Sequence, residues 1–316
     1  MTGWGPREHH VESIGHDVAG ADGVRVHLVD GTYELFRAHY GRQPDRTAPD
    51  GQDVKATVGV ISSLLRLLED PDEGVTHIAA AFDNPIESFR NRVFPTYKNG
   101  DGIDPALRAQ FDQVEEAVAA LGVRVWSMDE YEADDALAAG AAQYAARDEV
   151  GQVRILTPDK DLGQCVRGDR IVQVDTMRQR QFDHDGVIER LGVPPLSIPD
   201  YLALVGDTAD GIPGLKGFGA KSAAVLLVEY GHLEGIPDDV AQWTVRPRGA
   251  DRLAQTLAAE REDALLYRTL ATLVVDGPVI SSLEEIAWGG VPREPFEAWC
   301  DTVGVTTLRE RVTRWA

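Results

Sequence analysis

The sequence predicts an α/β fold, a mostly parallel sheet flanked by helices, followed by an all-helical region. Two observations carry this. Up to about residue 175, short apolar β-rich runs alternate with stretches of helical spacing. After Pro194, Pro195 and Pro199 the strand-like runs stop and helical spacing takes over. Strand–helix–strand repetition requires crossover helices, and these make the strands parallel.

Residues 1–23, "MTGWGPREHHVESIGHDVAGADG", lack the apolar middle of a signal peptide. They read as a polar, flexible tail, and His9, His10 and His16 as solvated rather than metal-bound. Four buried strands follow, over Val24–Asp30, Val75–Asp83, Val123–Asp129 and Val153–Asp159. Between them Val54–Glu69, Pro105–Leu121 and Ala133–Arg147 carry helical spacing. In the first of these, Val58, Ile61, Leu65 and Leu68 fall along one side and read as core. The chain therefore divides into a tail (1–23), an α/β domain (24–193) and a helical region (194–316).

With 316 residues and 43% hydrophobic content the chain has ample material for a core. No apolar run approaches the ~20 residues that span a bilayer, so no membrane partner is expected. Cys165 and Cys300 stand far apart in no metal-ligand spacing, which suits a reducing, cytoplasmic compartment. The net charge of −21 argues against nucleic acid in bulk, since that affinity rests on Lys and Arg against phosphate. A local patch can still do what the average does not. Lysine is scarce: Lys55, Lys98, Lys160, Lys216 and Lys221 are the full set.

Each predicted strand ends in aspartate, and parallel sheets bind ligands beyond the carboxyl ends of their strands. Asp30, Asp83 and Asp159 would then meet at one edge. The plain alternative is that each Asp opens a turn or caps the next helix. Further acids come in close pairs: Glu132, Asp134 and Asp135 in "YEADD", Asp159 and Asp161 in "TPDKD", Asp207 and Asp210 in "GDTAD". Like charges ~4 Å apart repel by about 1 kcal/mol even when well screened. Gathered together, these nine carboxylates need a cationic partner. An all-oxygen donor set suits hard divalent cations. Two Mg²⁺ or Mn²⁺ ions are the usual arrangement for phosphodiester hydrolysis.

"GLKGFG" (Gly214–Gly219) reads as a glycine hairpin entering a helix near Ala220. Gly214, Gly217 and Gly219 allow close backbone approach. The helix start, with Lys216 and Lys221 beside it, offers N–H groups to phosphate. An ordinary helix–helix connection would look the same; the acid pair directly before it favours a phosphodiester contact that reads no bases.

The ordered set "VDGTYELFRAHY", "AFDNPIESFRNRVFPTYK", "YEADD", "LTPDKDL" and "VGDTADGIPGLKGFGAKSA" resembles the bacterial and phage 5′-3′ exonucleases of the flap endonuclease superfamily, including the 5′-nuclease domain of DNA polymerase I. The resemblance runs from about Val24 to at least Leu273. With no polymerase module following, the chain looks like a stand-alone member. It implies a PIN-like nuclease domain, an arch at about 84–110 and a helix–three-turn–helix (helix-hairpin-helix) element. Asp30, Asp83, Glu132, Asp134, Asp135, Asp159, Asp161, Asp207 and Asp210 match the family's metal-site acids. Lys98 in "TYK" and Arg90 in "SFR" resemble its catalytic basic pair at the scissile phosphate. Phe36 and Arg37 stand at its aromatic–Arg pair for DNA binding, beside the hairpin residues named above. The hairpin match extends to K⁺ held by its carbonyls. Implied partners are DNA flaps, nicks and 5′ ends, with no obligate protein partner evident.

Two positions depart from the family pattern. Asp101 stands about where the arch usually carries a further basic residue, and Gly211 replaces a common Asn after the "GDTAD" acids. The expected function is metal-dependent, structure-specific 5′ nuclease activity on DNA. The alternatives are a PIN-type ribonuclease, or a DNA-binding relative with impaired cleavage.

Overall fold

β1 (Val24–Asp30) sits at the centre of the protein, buried on both faces from Val26 to Asp30, as a strand between two helical layers must be. The structure is a computed structural model and describes residues 23–278 and 280–316. The predicted tail, with its three histidines, lies outside the described residues except for Gly23. Asp30 closes β1 and caps α1 (Gly31–Tyr40), accepting from Tyr33 N–H at 2.8 Å. α2 (Lys55–Leu68) buries the predicted Val58, Ile61, Leu65 and Leu68. Val60 and Leu64 are buried too, because α2 packs against both α1 and the later helix over Phe111–Ala120.

β2 (His77–Asp83) leads through two short helices, α3 (Phe89–Val93) and α4 (Pro105–Arg108), to α5 (Phe111–Ala120). The single helix expected over 105–121 is thus broken. Gln110 stands at the break, fully buried, its Oε1 accepting from Thr57 N–H of α2 at 3.0 Å. That long-range bond fixes a non-helical Gln110 where local propensity favoured continuation.

β3 (Arg124–Met128), α6 (Ala133–Ala145) and β4 (Val150–Leu156) follow. β4 lies three residues earlier than expected: Pro158 has no N–H for the ladder and restricts Thr157 before it. Asp159 therefore lies beyond the strand, on a loop. Two strands were not anticipated, β5 (Ile171–Asp175) and the antiparallel edge strand β6 (Arg180–Phe182). Then come α7 (His184–Leu191), α8 (Ile198–Val205), α9 (Ala220–Tyr230), α10 (Ala250–Ala259), α11 (Arg261–Ala271) and α12 (Arg293–Val303). Among the described residues no helix is long and apolar enough to cross a membrane.

The sheet order is β3-β2-β1-β4-β5-β6, with every pair parallel except β5–β6. The chain winds outward from β1 to β3, then restarts on the other side of β1 with β4. The switch point between β1 and β4 opens a crevice at their carboxyl ends. One face of the sheet packs under α1, α2 and α5, the other under α6. α8 to α11 build a separate apolar core. The end of the chain returns to the first core: Trp288, Phe296, Cys300 and Leu308 all pack there, and Trp288 donates from its indole to Leu121 O at 3.0 Å.

Candidate active site

The site forms at the switch point. Asp30 Oδ2 accepts from Thr157 Oγ1 at 2.8 Å, joining the end of β1 to the end of β4. Asp83, at the end of β2, accepts from Ala133 N–H of α6 at 2.7 Å, and its own N–H donates to Thr32 Oγ1. The reading in which each Asp caps the next helix therefore holds for Asp30 alone; Asp83 reaches the start of α6, while Ser88 caps α3. That reading does not account for the rest, because the acids also face one another. Glu132 caps α6 from a buried position, accepts from Ser88 Oγ at 2.8 Å, and lies 2.9 Å from Lys98 Nζ. The Asp134 carboxylate accepts no hydrogen bond from the described residues.

From the other side, Asp161, Asp207 and Asp210 bring carboxylate oxygens within 4.8 Å of one another. The 207–212 turn that presents two of them closes with paired backbone bonds between Asp207 and Ile212. Gly211 in that turn has φ +75°, and a Cβ there would come 2.5 Å from Thr96 O. Glycine at this position lets the turn press against the chain just before Lys98. Asp159 links the two groups: it accepts from Asp161 N–H at 3.0 Å and faces Asp30 and Asp134.

Burial and mutual repulsion raise most of these carboxyls. Burial lifts Asp30 to about 7, with Asp159 and Asp83 adding repulsion. Asp83 rises to about 6 and Asp161 to about 8, again chiefly through burial. Asp134 and Asp210 are raised for the same reason. Glu132 moves the other way, because Lys98 and Arg90 together outweigh its burial. Lys98 is pushed up, the pull of Glu132 and Asp210 exceeding its own desolvation. The crevice is short of positive charge.

The donor set fits divalent cations on a further observation. Asp161 Oδ1 is buried with no hydrogen-bond partner, and Lys160 Nζ reaches only to 3.2 Å without hydrogen-bond alignment. A buried, unpartnered carboxylate oxygen among carboxylates is where a hard cation removes a desolvation cost.

Asp135 and Arg90 sit behind Glu132 rather than in the crevice, with the Arg90 guanidinium 3.4 Å from the Glu132 carboxylate. Asp135 is fully buried and gripped by the Arg90 guanidinium in two bonds of 2.6 and 2.7 Å. It also accepts from Val274 N–H, while Arg90 donates to Leu270 O and Thr272 O. Arg90 was expected beside the scissile phosphate. Only 1% of its side chain is exposed, and its donors are spent on Asp135 and backbone. The structure assigns it to holding the α11 end against α6.

Lys98 does reach the crevice, 23% exposed, between Glu132 and Asp210. Phe36 is half-buried against Phe111, and Arg37 is bonded to Glu34 and Ser63. Gly214 and Gly217 adopt φ of +68° and +94°, and Gly219 caps α9 with open space around it. Lys216 and Lys221 are exposed beside them.

Two residues of the crevice escaped the sequence reading. Lys160, inside the quoted "TPDKD", pairs with Asp207 and Asp161. Tyr97, next to Lys98, is buried with its hydroxyl 3.3 Å from Glu132. Basic and aromatic residues embedded in an acidic motif were the available signal.

Known proteins place this architecture. Residues 25–192 match the family described as 5′-3′ exonuclease, N-terminal resolvase-like domain. Residues 193–294 match 5′-3′ exonuclease, C-terminal SAM fold. DNA polymerase I of Mycobacterium leprae is 33% identical over 290 residues, 90% of this chain and 31% of that protein. DNA polymerase I of Pseudomonas aeruginosa is 36% identical over 281 residues, 86% of this chain and 29% of that protein. The chain thus spans about a third of the length of these curated relatives. Among solved structures, zinc-bound T5 5′-exonuclease matches with a TM-score of 0.60 at 18% identity, covering 79% of this chain and 90% of that one. The catalytic core of Rad2 in complex with DNA substrate matches with a TM-score of 0.60 at 14% identity, covering 92% of each chain. At these identities the structures speak for the fold. The family matches adjoin, follow the order in which sheet and helical region are built, and cover most of the described residues: the chain belongs to the 5′-3′ exonuclease family.

Proposed function

We propose that this chain is a divalent-metal-dependent 5′ nuclease that hydrolyses DNA phosphodiesters at flaps, nicks and 5′ ends. The observation that carries this is the meeting of Asp161, Asp207 and Asp210, whose carboxylate oxygens lie within 4.8 Å of one another, with Asp159 joining them to the acids around Asp30 and Asp134. In this reading Asp161, Asp207 and Asp210 hold one Mg²⁺ or Mn²⁺, and Asp30, Asp83, Asp134 and Asp159 the other. When bound, such cations lower the pKa of water and offset charge on the phosphoryl oxygens.

The chain's own groups do the rest. Lys98, poised between Glu132 and Asp210, turns its ammonium to the scissile phosphate and offsets charge developing there. Glu132 is held ionised by Lys98 and Arg90, so it anchors Lys98 and takes no proton from it. The α9 start, with Lys216 and Lys221, grips the phosphodiester backbone, and the hairpin carbonyls are a candidate K⁺ site. Phe36 offers its exposed edge for stacking, and Arg37 can exchange Glu34 for a phosphate. The buried free thiols of Cys165 and Cys300 suit the cytoplasm.

The deciding experiment is Mg²⁺-dependent cleavage of 5′-labelled flap, nicked and blunt DNA beside single-stranded RNA, with Asp159→Ala as control. Cleavage of DNA that stops in the variant is expected. Preference for RNA would instead make the chain a PIN-type ribonuclease, and DNA binding without cleavage would make it an impaired relative.

A further inference from the structure

Five basic residues of the helical region stand out by what they do not touch. Between Pro194 and Ala316 the chain has eleven lysines and arginines. Six are engaged: Arg261 with Asp238, Arg268 with Glu234, Arg293 with Glu297, Arg309 with Asp301, Arg311 with Ser62 O, and Arg314 with the Trp288 ring. Lys216, Lys221, Arg246, Arg248 and Arg252 are exposed, and among the described residues no carboxylate lies within ion-pair distance of them and their side chains make no hydrogen bond.

Local structure fixes these arginines outward. In "TVRPRGADR" (Thr244–Arg252), Pro247 and Ala250 are buried while Arg246, Arg248 and Arg252 are exposed. Trp243, just upstream, is buried and donates from its indole to Pro237 O at 2.7 Å. Gly249, at φ +81°, turns the chain into α10, and its carbonyl accepts from Arg252 N–H at 3.0 Å. Arg252 is then set against the glycine hairpin: a Cβ on Gly217 would lie 3.5 Å from its guanidinium. The α10 start and the hairpin thus meet, with their cations unpaired.

We infer that Arg246, Arg248 and Arg252 form a second phosphate-contacting element, which extends the hairpin's grip along the backbone of a DNA duplex. Cations carried on a proline-braced loop, a helix start and a hairpin have fixed spacing, which suits the regular phosphates of a duplex. Single strands are held chiefly by stacking on aromatic rings. Among the described residues of this region, the large exposed apolar side chains are Leu196, Val225, Val228 and Val275, none of them aromatic. The inference rests on the nuclease reading only for the choice of DNA.

The test is fluorescence anisotropy of a labelled blunt DNA duplex, in EDTA, across a salt series. Each phosphate contact adds roughly 0.9 to the slope of log K against log salt. Arg246→Gln, Arg248→Gln and Arg252→Gln should each lower that slope by roughly 0.9, and the triple variant by about the sum. Arg293→Gln, on α12, should leave it unchanged. Thermal melting of each variant controls for folding. An unchanged slope in a folded triple variant overturns the inference. An equal loss of slope on single-stranded DNA overturns the duplex assignment. Because no metal or cleavage enters this assay, a failure of the nuclease reading leaves its outcome intact.

Discussion

The Arg90 guanidinium holds Asp135 in two bonds of 2.6 and 2.7 Å, with both side chains almost wholly out of solvent. Asp135 also accepts from Glu132 N–H at 3.0 Å, so the pair fixes the residue that anchors Lys98. Breaking a buried ion pair by removing one partner costs roughly 3–5 kcal/mol. Asp135→Asn should therefore lower the denaturant midpoint markedly. If Asp135→Asn melted like the parent protein and lost only metal binding, Asp135 would return to the metal site.

Lys98 is expected to act on the chemical step. Its ammonium lies between Glu132 and Asp210 and retains an exposed fraction of 23%. Lys98→Ala should slow single-turnover flap cleavage by roughly 10²- to 10³-fold, with a much smaller loss of DNA affinity. Equal losses in both quantities would make it a binding residue only.

Lys160 has the opposite expected signature. It sits against Asp207 and Asp161, where it offsets charge that a cation would otherwise offset. Lys160→Met should lower the melting temperature of the metal-free protein and tighten Mn²⁺ binding several-fold, read by electron paramagnetic resonance. Lys160→Arg should behave like the parent. Weaker Mn²⁺ binding in Lys160→Met would show that Lys160 orients the acids rather than competing for them.

The raised acids set a pH dependence whose sign can be worked out. Asp30, Asp83 and Asp161 titrate at about 7, 6 and 8 when folded, all above their unfolded values. The folded metal-free protein then binds more protons than the unfolded chain, so their contribution to stability falls as pH rises. The melting temperature of metal-free protein should drop as pH rises from about 4, where the unfolded carboxyls ionise, and level off near pH 8, and Mg²⁺ should restore it most at the upper end. Cation binding should also release protons, detectable by calorimetry in buffers of different ionisation enthalpy.

β1 and β2 were legible because a parallel strand covered on both faces is apolar along most of its length. β5 and β6 were not, since a five-residue strand and a three-residue edge carry too little pattern. The broken helix at Gln110 depends on a bond to Thr57, a partner no local pattern reveals. Asp30 and Asp83 were legible from their place at strand ends, and the other acids from their close pairing in short motifs. What spacing hides is which acids face the crevice. Asp134 and Asp135 are adjacent, yet on a helix neighbours point about 100° apart, so one enters the crevice and the other meets Arg90.

The same helix start supplies the last comparison, between Glu130 and Asp134. Both lie near the positive end of α6, and a purely dipolar role would make them similar, at about 0.3–1 kcal/mol each. Glu130 is half-exposed and pairs with Arg92, itself 66% exposed. Such surface pairs contribute about 0–1 kcal/mol. Asp134 makes no capping bond, and Asp30, Asp159 and Asp83 all press on its ionisation. Glu130→Ala should leave flap cleavage and melting nearly unchanged. Asp134→Ala should abolish cleavage, keep DNA binding, and raise the melting temperature of metal-free protein above neutral pH by removing repulsion. Identical behaviour in the two variants would reduce the acidic start of α6 to a dipole effect and remove Asp134 from the site.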